Sequence, residues 1–421
     1  MKKNVLLLCQ YFYPEHVSSA ILPAQLAEDL AESGDNVSVI CGWPQEYHDG
    51  KSVPKRETYK GINIYRLRYG NFNNKNKIGR MINFFSFFMS ALMKLPKIMK
   101  YEVVIVYSNP PILPLIGYWA KKLSKIKLVF VGFDLYPDNA IAINAINPEG
   151  AISKMMKYIN KRVYSNADRV VAISSDMKHY MLKTHKELDE QRAVVIPNWY
   201  TGEIENSEII KNNEFKKLRE TYQLIVLYTG NMGEAQELDT IVESIINMNK
   251  SAKYKNVLFV FTGHGSKKDE IEQKLMSAGI SNTKFYGFLK GQDYKDILNI
   301  SDVCLVSLKK GIEGLGVPSK TYGYFAYGKP VISIMSDETE LAKNITTYKA
   351  GFNVMQNDIE GFLTSVESFL ENPKLVFECG ENSLKIHNSY YKKSISLEKY
   401  RDVIDTLIGT NHIDKGDKEY V

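Results

Sequence analysis

Residues 311–334 bring together, in one short stretch, the groups that can bind a phosphorylated sugar. Glu313 precedes two glycines, and residues 317–319 open a predicted helix that carries Lys320 in its first turn. Free N–H groups at the start of a helix attract an anion, a lysine adds a full charge, and glycines let the backbone approach the ligand. A carboxylate beside a phosphate site needs a polar group between them, such as a sugar hydroxyl. The segment therefore predicts a site for a nucleotide diphosphate-sugar.

Two further glycine-rich turns follow predicted strands. Residues 230–233 read Gly-Asn-Met-Gly, and residues 263–265 read Gly-His-Gly. Either turn can hold a diphosphate against its backbone, although an ordinary strand-to-helix turn has the same composition. His264 is equally well explained as a polar loop residue. Phe288, in a later predicted strand, is either an aromatic wall of the site or a buried strand end.

Polar residues also follow the apolar runs of the first half of the chain. The candidates are Glu15, His16, Ser18, Ser19, Asp134 and Asn198. The two serines open a predicted helix, so their hydroxyls can bind a phosphate together with the helix N–H groups, or simply cap the helix. Asp134 follows a predicted strand at 128–131, which places it at the carboxyl-end edge of the predicted sheet.

The elements that position these residues are short apolar runs alternating with amphipathic stretches, a pattern typical of parallel sheets covered by helices. Two such sets occur in succession, which predicts an α/β protein with two doubly wound domains. We expect an N-terminal domain at 1–200, a second domain at 201–387, and a helix with a loose tail at 388–421. Ligands of such sheets bind beyond the carboxyl ends of the strands, so the cleft is expected between the domains.

Composition is that of an ordinary globular protein of 421 residues, with 44% hydrophobic and 24% charged residues. The first 200 residues hold 27 Lys and Arg against 17 Asp and Glu, whereas the remainder holds 27 against 31. A basic first half suggests an anionic surface or a pyrophosphate-bearing substrate. No nucleic-acid-binding signature is recognisable. The four cysteines form no C-x-x-C pair, and neither a signal peptide nor an 18-residue apolar run is present.

Residues 74–100 combine a broad apolar helical face with basic residues at both ends. This pattern is typical of a helix that dips into an anionic membrane surface. A core helix that covers the first sheet has a similarly wide apolar face, so both interpretations stay open.

Five segments in this order resemble the retaining glycosyltransferases of family 4. They are VIPNW (195–199), TGNMGEAQEL (229–238), FTGHGS (261–266), FYGFL (285–289) and residues 311–334. The resemblance covers essentially the whole chain and is closest to the bacterial surface-polysaccharide branch similar to N-acetyl-fucosamine transferases. It implies a GT-B fold, in which two Rossmann-like domains face each other across a cleft. It also implies no obligatory metal or other cofactor, with a UDP-sugar as substrate, and the chain contains no D-x-D.

The resemblance also assigns roles to the candidate residues. It implies catalytic roles for Glu313, Lys320 and Asp134, with acceptor contacts from Glu15, His16, Ser18, Ser19 and Asn198. Donor contacts are implied for Gly230, Asn231, Gly233, Gly263, His264, Phe288, Gly316, Val317, Pro318, Ser319 and Thr321. The chain departs from the family at Phe133, where a histidine is common, and at Thr321, where a second glutamate is usual. Asn231 and Gln236 replace an arginine and a lysine, which leaves the charge to Lys320 and the helix N-terminus, with Lys309 or Lys310 as further candidates.

The resulting hypothesis is a retaining glycosyltransferase on the inner face of the plasma membrane. It would move a sugar, in the nearest branch an N-acetylated deoxyhexosamine, from a UDP-sugar to a polyprenyl-diphosphate-linked glycan during capsule, O-antigen or exopolysaccharide synthesis. Two alternatives stay open. A homologue without activity would act as a scaffold for an active transferase, and a nucleotide-sugar epimerase would share the two-domain shape.

Overall fold

The computed structural model describes residues 2–45, 50, 52–73, 76–204 and 209–409. Its first half contains one eight-stranded sheet in the order β3-β4-β2-β1-β5-β6-β7-β8, and all neighbours are parallel except β3 and β4. The strands are β1 Asn4–Leu8, β2 Asn36–Gly42, β3 Arg56–Tyr59, β4 Ile62–Leu67, β5 Val103–Tyr107, β6 Lys127–Gly132, β7 Arg169–Ala172 and β8 Ala193–Val195.

The second half contains a six-stranded parallel sheet in the order β11-β10-β9-β12-β13-β14. Its strands are β9 Leu224–Asn231, β10 Val257–His264, β11 Thr283–Tyr286, β12 Val303–Ser307, β13 Val331–Ile334 and β14 Gly351–Val354. In both sheets the strand order reverses next to the first strand, and that switch point is where doubly wound sheets bind ligands.

Helices fill the connections between the strands. In the first half they are α1 Ser18–Glu32, α2 Lys77–Leu92, α3 Leu95–Ile98, α4 Pro114–Leu123, α5 Asp138–Ala142, α6 Ala151–Asn166 and α7 Ser175–Thr184. In the second half they are α8 Asn213–Thr221, α9 Asp239–Met248, α10 Lys268–Ser277, α11 Gly291–Ile300, α12 Lys320–Ala326, α13 Glu340–Thr347, α14 Ile359–Glu371, α15 Pro373–Ile386 and α16 Lys393–Ile408.

The first sheet is covered on both faces. Along β1, Leu6 and Leu8 point into one hydrophobic layer, and Val5 and Leu7 point into the other, as the two-residue period of a strand requires. Helices α2, α4, α6 and α7 contribute to the layer that contains Leu6, whereas α1 and α16 contribute to the opposite layer. Because both faces are buried, these strands are apolar without alternation.

The last helix of the chain crosses back to the first half. Leu397 and Tyr400 of α16 lie in the same hydrophobic layer as β1, and Arg401 donates to Asp29 of α1 at 2.6 Å. The Ser396 hydroxyl donates to the Pro197 carbonyl at 2.8 Å. The structure thus places α16 on the N-terminal sheet, and the predicted tail from residue 410 lies outside the described residues.

The apolar runs located the central strands correctly, and the two-sheet GT-B architecture is confirmed. Two edge strands were missed. The sequence of β3, Arg-Glu-Thr-Tyr, is polar because this strand is half exposed at the end of its sheet. Strand β14 is short and begins at Gly351, so neither edge strand has a continuous apolar run. The polar stretch before β9 is not all loop, since Asn213–Thr221 folds as α8.

Candidate active site

A cleft of about 710 Å³ lies between the two halves of the molecule, beyond the carboxyl ends of β1 and β9. It is lined by predicted site residues from both halves, namely His16, Ser18, Asn198, Gly230, Asn231, Phe288, Val317, Pro318, Ser319 and Lys320. Among the described residues that line it, the charged side chains are lysines, and there is no carboxylate. The cleft therefore suits an anionic ligand.

Two glycine turns form the floor on the donor side. Strands β9 and β10 run in parallel register, which sets Gly230 beside Gly263. Both have positive φ angles, +102° and +129°. A Cβ atom on Gly263 would lie 2.0 Å from the Gly230 carbonyl oxygen, so a side chain at 263 would push the two turns apart. Glycine is required here because the backbones touch.

Lys320 extends across this floor. Its side chain runs past Gly230, where an added Cβ atom would lie 3.6 Å from the lysine Cε. The ammonium nitrogen lies 3.5 Å from the centroid of the Tyr228 ring. Although the residue as a whole is partly exposed to the cleft, the nitrogen itself is buried and has no hydrogen-bond partner within the described structure.

Burial lowers the pKa of Lys320 well below the usual range for lysine. The Tyr228 ring offers the ammonium only its quadrupole, which is a weaker partner than a carboxylate. A buried ammonium without hydrogen bonds is costly unless an anion satisfies it. The arrangement is thus suited to receive the phosphates of a bound nucleotide.

An exposed aromatic residue lies at the other end of the donor side. Phe288 is 59% exposed, and Lys290 places its ammonium 5.9 Å from the ring centroid. The His264 ring approaches Phe288 at 6.0 Å between centroids but does not line the cleft. Tyr294, from α11, lines the cleft nearby. Together these side chains form an aromatic wall against which a planar base can stack.

The acceptor side contains fewer fixed groups. His16 and Ser18 are exposed and line the cleft, and Asn198 lies buried in its wall. Glu15, by contrast, is buried, and Ser19 is half-buried; neither belongs to the lining. The structure therefore brings three of these five predicted acceptor residues together.

Asp134 lies where the two halves meet. Asn139 donates to its carboxylate at 3.2 Å, and an added Cβ atom on Gly316 would lie 3.4 Å from the same oxygen. The next residue, Leu135, donates its N–H to the Leu315 carbonyl at 3.3 Å. Although the Asp134 side chain is accessible to solvent, the dense surroundings raise its pKa, and the Asn139 hydrogen bond partly offsets this. Asp134 thus faces the loop that leads into α12.

One predicted donor contact, Thr321, and one predicted catalytic residue, Glu313, do not line the cleft. Thr321 is buried, and its hydroxyl donates to the Pro318 carbonyl at 2.8 Å, so it stabilises the start of α12 rather than facing the cleft. Glu313 is half-buried and accepts a hydrogen bond from the Gly311 N–H at 2.6 Å. It is not among the lining residues because its carboxylate closes its own turn.

Three more predicted donor residues do not line the cleft. Gly233 and Gly263 belong to the two glycine turns, and Gly316 lines a small separate pocket between the halves. Their backbone positions shape the cleft without forming its surface.

Tyrosines are the site residues that sequence reasoning missed. Tyr228 ends an otherwise aliphatic run in β9, and its hydroxyl donates to the Asn231 carbonyl at 2.9 Å. Tyr200 and Tyr294 line the cleft and pack against Gly323 of α12. A polar aromatic residue at the end of a buried strand is a signal that could have drawn attention to Tyr228.

Two family profiles match complementary parts of the chain. The profile described as "Glycosyltransferase Family 4" matches residues 22–200, and the one described as "Glycosyl transferases group 1" matches residues 210–386. The chain belongs to the family 4 glycosyltransferases of the GT-B fold. The two matches divide it between the first and the second sheet.

The curated relatives include two bacterial glycosyltransferases. The chain is 24% identical over 349 residues to the probable glycosyltransferase WbjE of Pseudomonas aeruginosa, covering 81% of this chain and 84% of that protein. It is 23% identical over 231 residues to WcaI of Escherichia coli strain K12, a putative colanic acid biosynthesis glycosyl transferase, covering 53% and 55%.

Solved structures share the fold across nearly the whole length. Sucrose-phosphate synthase from Thermosynechococcus elongatus superposes with a TM-score of 0.74 at 15% identity, covering 97% of this chain and 100% of that one. HepE of Anabaena, solved in complex with UDP and glucose, gives 0.67 at 12% identity, covering 96% and 100%.

Throughout the described ranges, no helix is long and apolar enough to span a bilayer. The same residues contain no group of three or more histidine, cysteine, aspartate or glutamate side chains placed to hold a metal ion.

Proposed function

We propose that this glycosyltransferase moves a sugar from a UDP-sugar to a polyprenyl-diphosphate-linked glycan during the synthesis of a bacterial surface polysaccharide. The observation that carries the proposal is the buried Lys320 nitrogen, which has no hydrogen-bond partner among the described residues, in a cleft whose described lining lacks carboxylates. The names of WbjE and WcaI support the process, and the UDP-bound HepE structure supports the donor class.

In the proposed reaction, the bond between the anomeric carbon and the β-phosphate oxygen breaks as an acceptor oxygen bonds to the same face of that carbon. The acceptor's proton passes to the departing phosphate oxygen, so the configuration is retained and no protein nucleophile is needed. Lys320 stabilises the negative charge that develops on the diphosphate. Asp134, facing the loop before α12, orients the acceptor hydroxyl. No metal is required, since the ammonium supplies the positive potential.

The donor sugar is proposed to be an N-acetylated deoxyhexosamine, after the branch that the sequence resembles. Asn231 lies in the cleft wall and Gln236 near Tyr228, at the positions where the resembled family has an arginine and a lysine, so Lys320 is the proposed main source of positive charge. We expect UDP to bind through this lysine more than through any other side chain. His16, Ser18 and Asn198 are the proposed contacts of the acceptor.

Helix α2 is proposed to rest on the membrane that holds the acceptor lipid, which places the protein peripherally on the inner face of the plasma membrane. One side of α2 packs on the sheet through Phe87, Phe88 and Ala91. The other side leaves large apolar side chains exposed, namely Ile78, Met81, Ile82, Phe85 and Met89. The two interpretations of residues 74–100 are therefore compatible; residues 74 and 75 lie outside the described residues.

The alternative of an inactive scaffold is less well supported because a scaffold has no need of a buried, unpartnered lysine. The epimerase alternative would need acid and base groups in the donor cleft, and the described lining offers His16 and lysines but no carboxylate. Both alternatives make different predictions for nucleotide binding and turnover.

The test is calorimetric titration with UDP, GDP and ADP, each in the presence of EDTA, on the wild type and on Lys320→Ala. We expect selective UDP binding without metal, weakened at least about 30-fold in Lys320→Ala, as befits removal of one member of a buried charge pair. Lys343→Ala, an exposed lysine of α13, is the matched control and should bind like the wild type. Selective GDP or ADP binding would change the donor class, and no binding would favour the scaffold.

A further inference from the structure

We propose that α6 forms a second membrane contact beside α2, so that the protein rests on an anionic bilayer through a two-helix platform. The inference builds on the proposed function, which places only α2 at the membrane. Helix α6 lies outside residues 74–100, the segment whose sequence pattern suggested a membrane contact.

The outer face of α6 exposes apolar and aromatic side chains to solvent. Ile152, Met155 and Tyr158 are 36%, 46% and 56% exposed. On the inner side, Ile159 and Val163 are buried in the layer that covers the first sheet. The helix therefore has one face committed to the core and a second apolar strip facing outward.

Cations surround this strip. Helix α6 carries Lys154, Lys157, Lys161 and Arg162, all exposed, and its sixteen residues contain no aspartate or glutamate. The Arg162 guanidinium lies 5.0 Å from the Tyr158 ring centroid. Exposed apolar side chains interleaved with cations match a layer of anionic headgroups above acyl chains. A nucleic acid would use the cations but leave the aliphatic side chains in water.

The positions of α2 and α6 make a single platform. Both pack on the same face of the first sheet, with α4 between them, and Trp119 of α4 contacts Phe88 of α2. The loop after β6, which contains Asp134, contacts both α6 and the loop before α12. Asn160 of α6 donates to the Tyr136 carbonyl at 2.5 Å, and Leu135 donates its N–H to the Leu315 carbonyl at 3.3 Å. Since Asp134 belongs to this loop, we expect the platform to set Asp134 close to the lipid surface.

The consequence is a fixed orientation. A protein bound through one amphipathic helix can rotate about the axis of that helix on the membrane surface. Two helices packed on one sheet give two lines of contact, and these fix the plane in which the protein meets the membrane. We expect the platform to present the loop of Asp134 toward the headgroups, where the diphosphate of a lipid-linked acceptor lies.

The test is sedimentation of the full chain with vesicles of equimolar phosphatidylcholine and phosphatidylglycerol, compared with phosphatidylcholine alone. Lys157→Ala combined with Lys161→Ala should weaken binding to the anionic vesicles roughly 25-fold, at about fivefold for each lysine. Ile152→Ser combined with Met155→Ser should weaken it roughly tenfold through lost apolar contact. The matched control, Lys216→Ala with Lys217→Ala, removes two exposed lysines from α8 in the other half and should change nothing.

The outcomes separate the two proposals. If the α6 variants bind vesicles as well as the wild type while Met81→Ser with Phe85→Ser abolishes binding, that result would overturn the role of α6 and retain that of α2. No vesicle binding by the wild type would overturn both membrane contacts. If the wild type does not bind vesicles but forms a dimer, and the α6 variants dissociate that dimer, the apolar strip of α6 would be an interface with a second copy of the chain instead. UDP titration of each variant, expected to match the wild type, shows that the donor site is intact.

Brominated phosphatidylcholine in the anionic vesicles gives an independent readout. Trp119 lies between the two helices and is half-buried. Its fluorescence should be quenched in the wild type, and the quenching should be lost in Trp119→Phe. Unquenched fluorescence from vesicle-bound wild type would contradict the platform geometry.

Discussion

The wall of the cleft formed by the second sheet contains a backbone contact between two glycine turns, whereas the wall formed by the first sheet includes both exposed and buried side chains. On the donor side, Gly230 and Gly263 touch through their backbones, and Lys320 lies over Tyr228. On the acceptor side, His16 and Ser18 are exposed. A diphosphate is the same in every nucleotide-sugar, so a rigid backbone site suits it. Acceptors differ, and exposed side chains can change without disturbing the fold.

The largest expected effect tests whether the donor wall depends on backbone contact. Gly263→Ala places a Cβ atom 2.0 Å from the Gly230 carbonyl oxygen, so we expect the free energy of unfolding to fall by about 4 kcal/mol and UDP binding to be lost. Urea unfolding and UDP titration measure both.

The matched control is Gly34→Ala in the first half. Gly34 also has a positive φ angle, +94°, but an added Cβ atom would meet nothing within 4 Å. We expect a loss of only about 1 kcal/mol, from backbone conformation alone, with UDP binding retained. Equal losses in the two variants would show that contact between the turns contributes nothing.

The next effect concerns the protonation of Lys320. Burial lowers the pKa of this lysine in the empty cleft, and a bound diphosphate favours the charged ammonium and raises the pKa again. UDP binding therefore takes up a proton. Affinity should be constant below the pKa of the empty state and should fall by about tenfold for each pH unit above it, until the pKa of the bound state is reached.

Titrations in buffers of different ionisation enthalpy measure this proton uptake directly. Lys320→Arg is the matched variant because a guanidinium stays charged throughout this range. It should bind UDP with no proton uptake. An uptake that persists in Lys320→Arg would place the titrating group elsewhere.

The smallest expected effect distinguishes the contribution of the Tyr228 ring to UDP affinity from that of its hydroxyl. Tyr228→Leu removes the aromatic face under the Lys320 ammonium. We expect UDP to bind about fivefold more weakly, because the cation–π interaction stabilises the charged lysine by about 1 kcal/mol. Tyr228→Phe keeps the ring and loses only the hydrogen bond to the Asn231 carbonyl. Calorimetry should find it close to the wild type. If Tyr228→Phe were as weak as Tyr228→Leu, positioning of Asn231 would explain the effect instead.

Much of the donor wall could be predicted from the sequence because its chemistry is local. The turn at 230–233 ends an apolar strand, and α12 begins at Lys320 after the loop 308–319; residue type, spacing and chain order were sufficient to place them on one edge of the sheet. Thr321 shows the limit of this reasoning. Its neighbour Lys320 reaches the cleft, yet its own side chain turns back to the Pro318 carbonyl, because successive residues of a helix point in different directions.

The sequence by itself determined the two parallel sheets, their central strands and the segments that surround the cleft, since apolar periodicity and turn residues act over short stretches of chain. Only the tertiary structure decided what those segments touch. It set Tyr228 under Lys320, left Glu313 bound to its own turn, and packed α6 on the same face of the first sheet as α2, with α4 between them. These contacts join residues far apart in the chain, and their geometry depends on how helices and strands pack rather than on any local pattern.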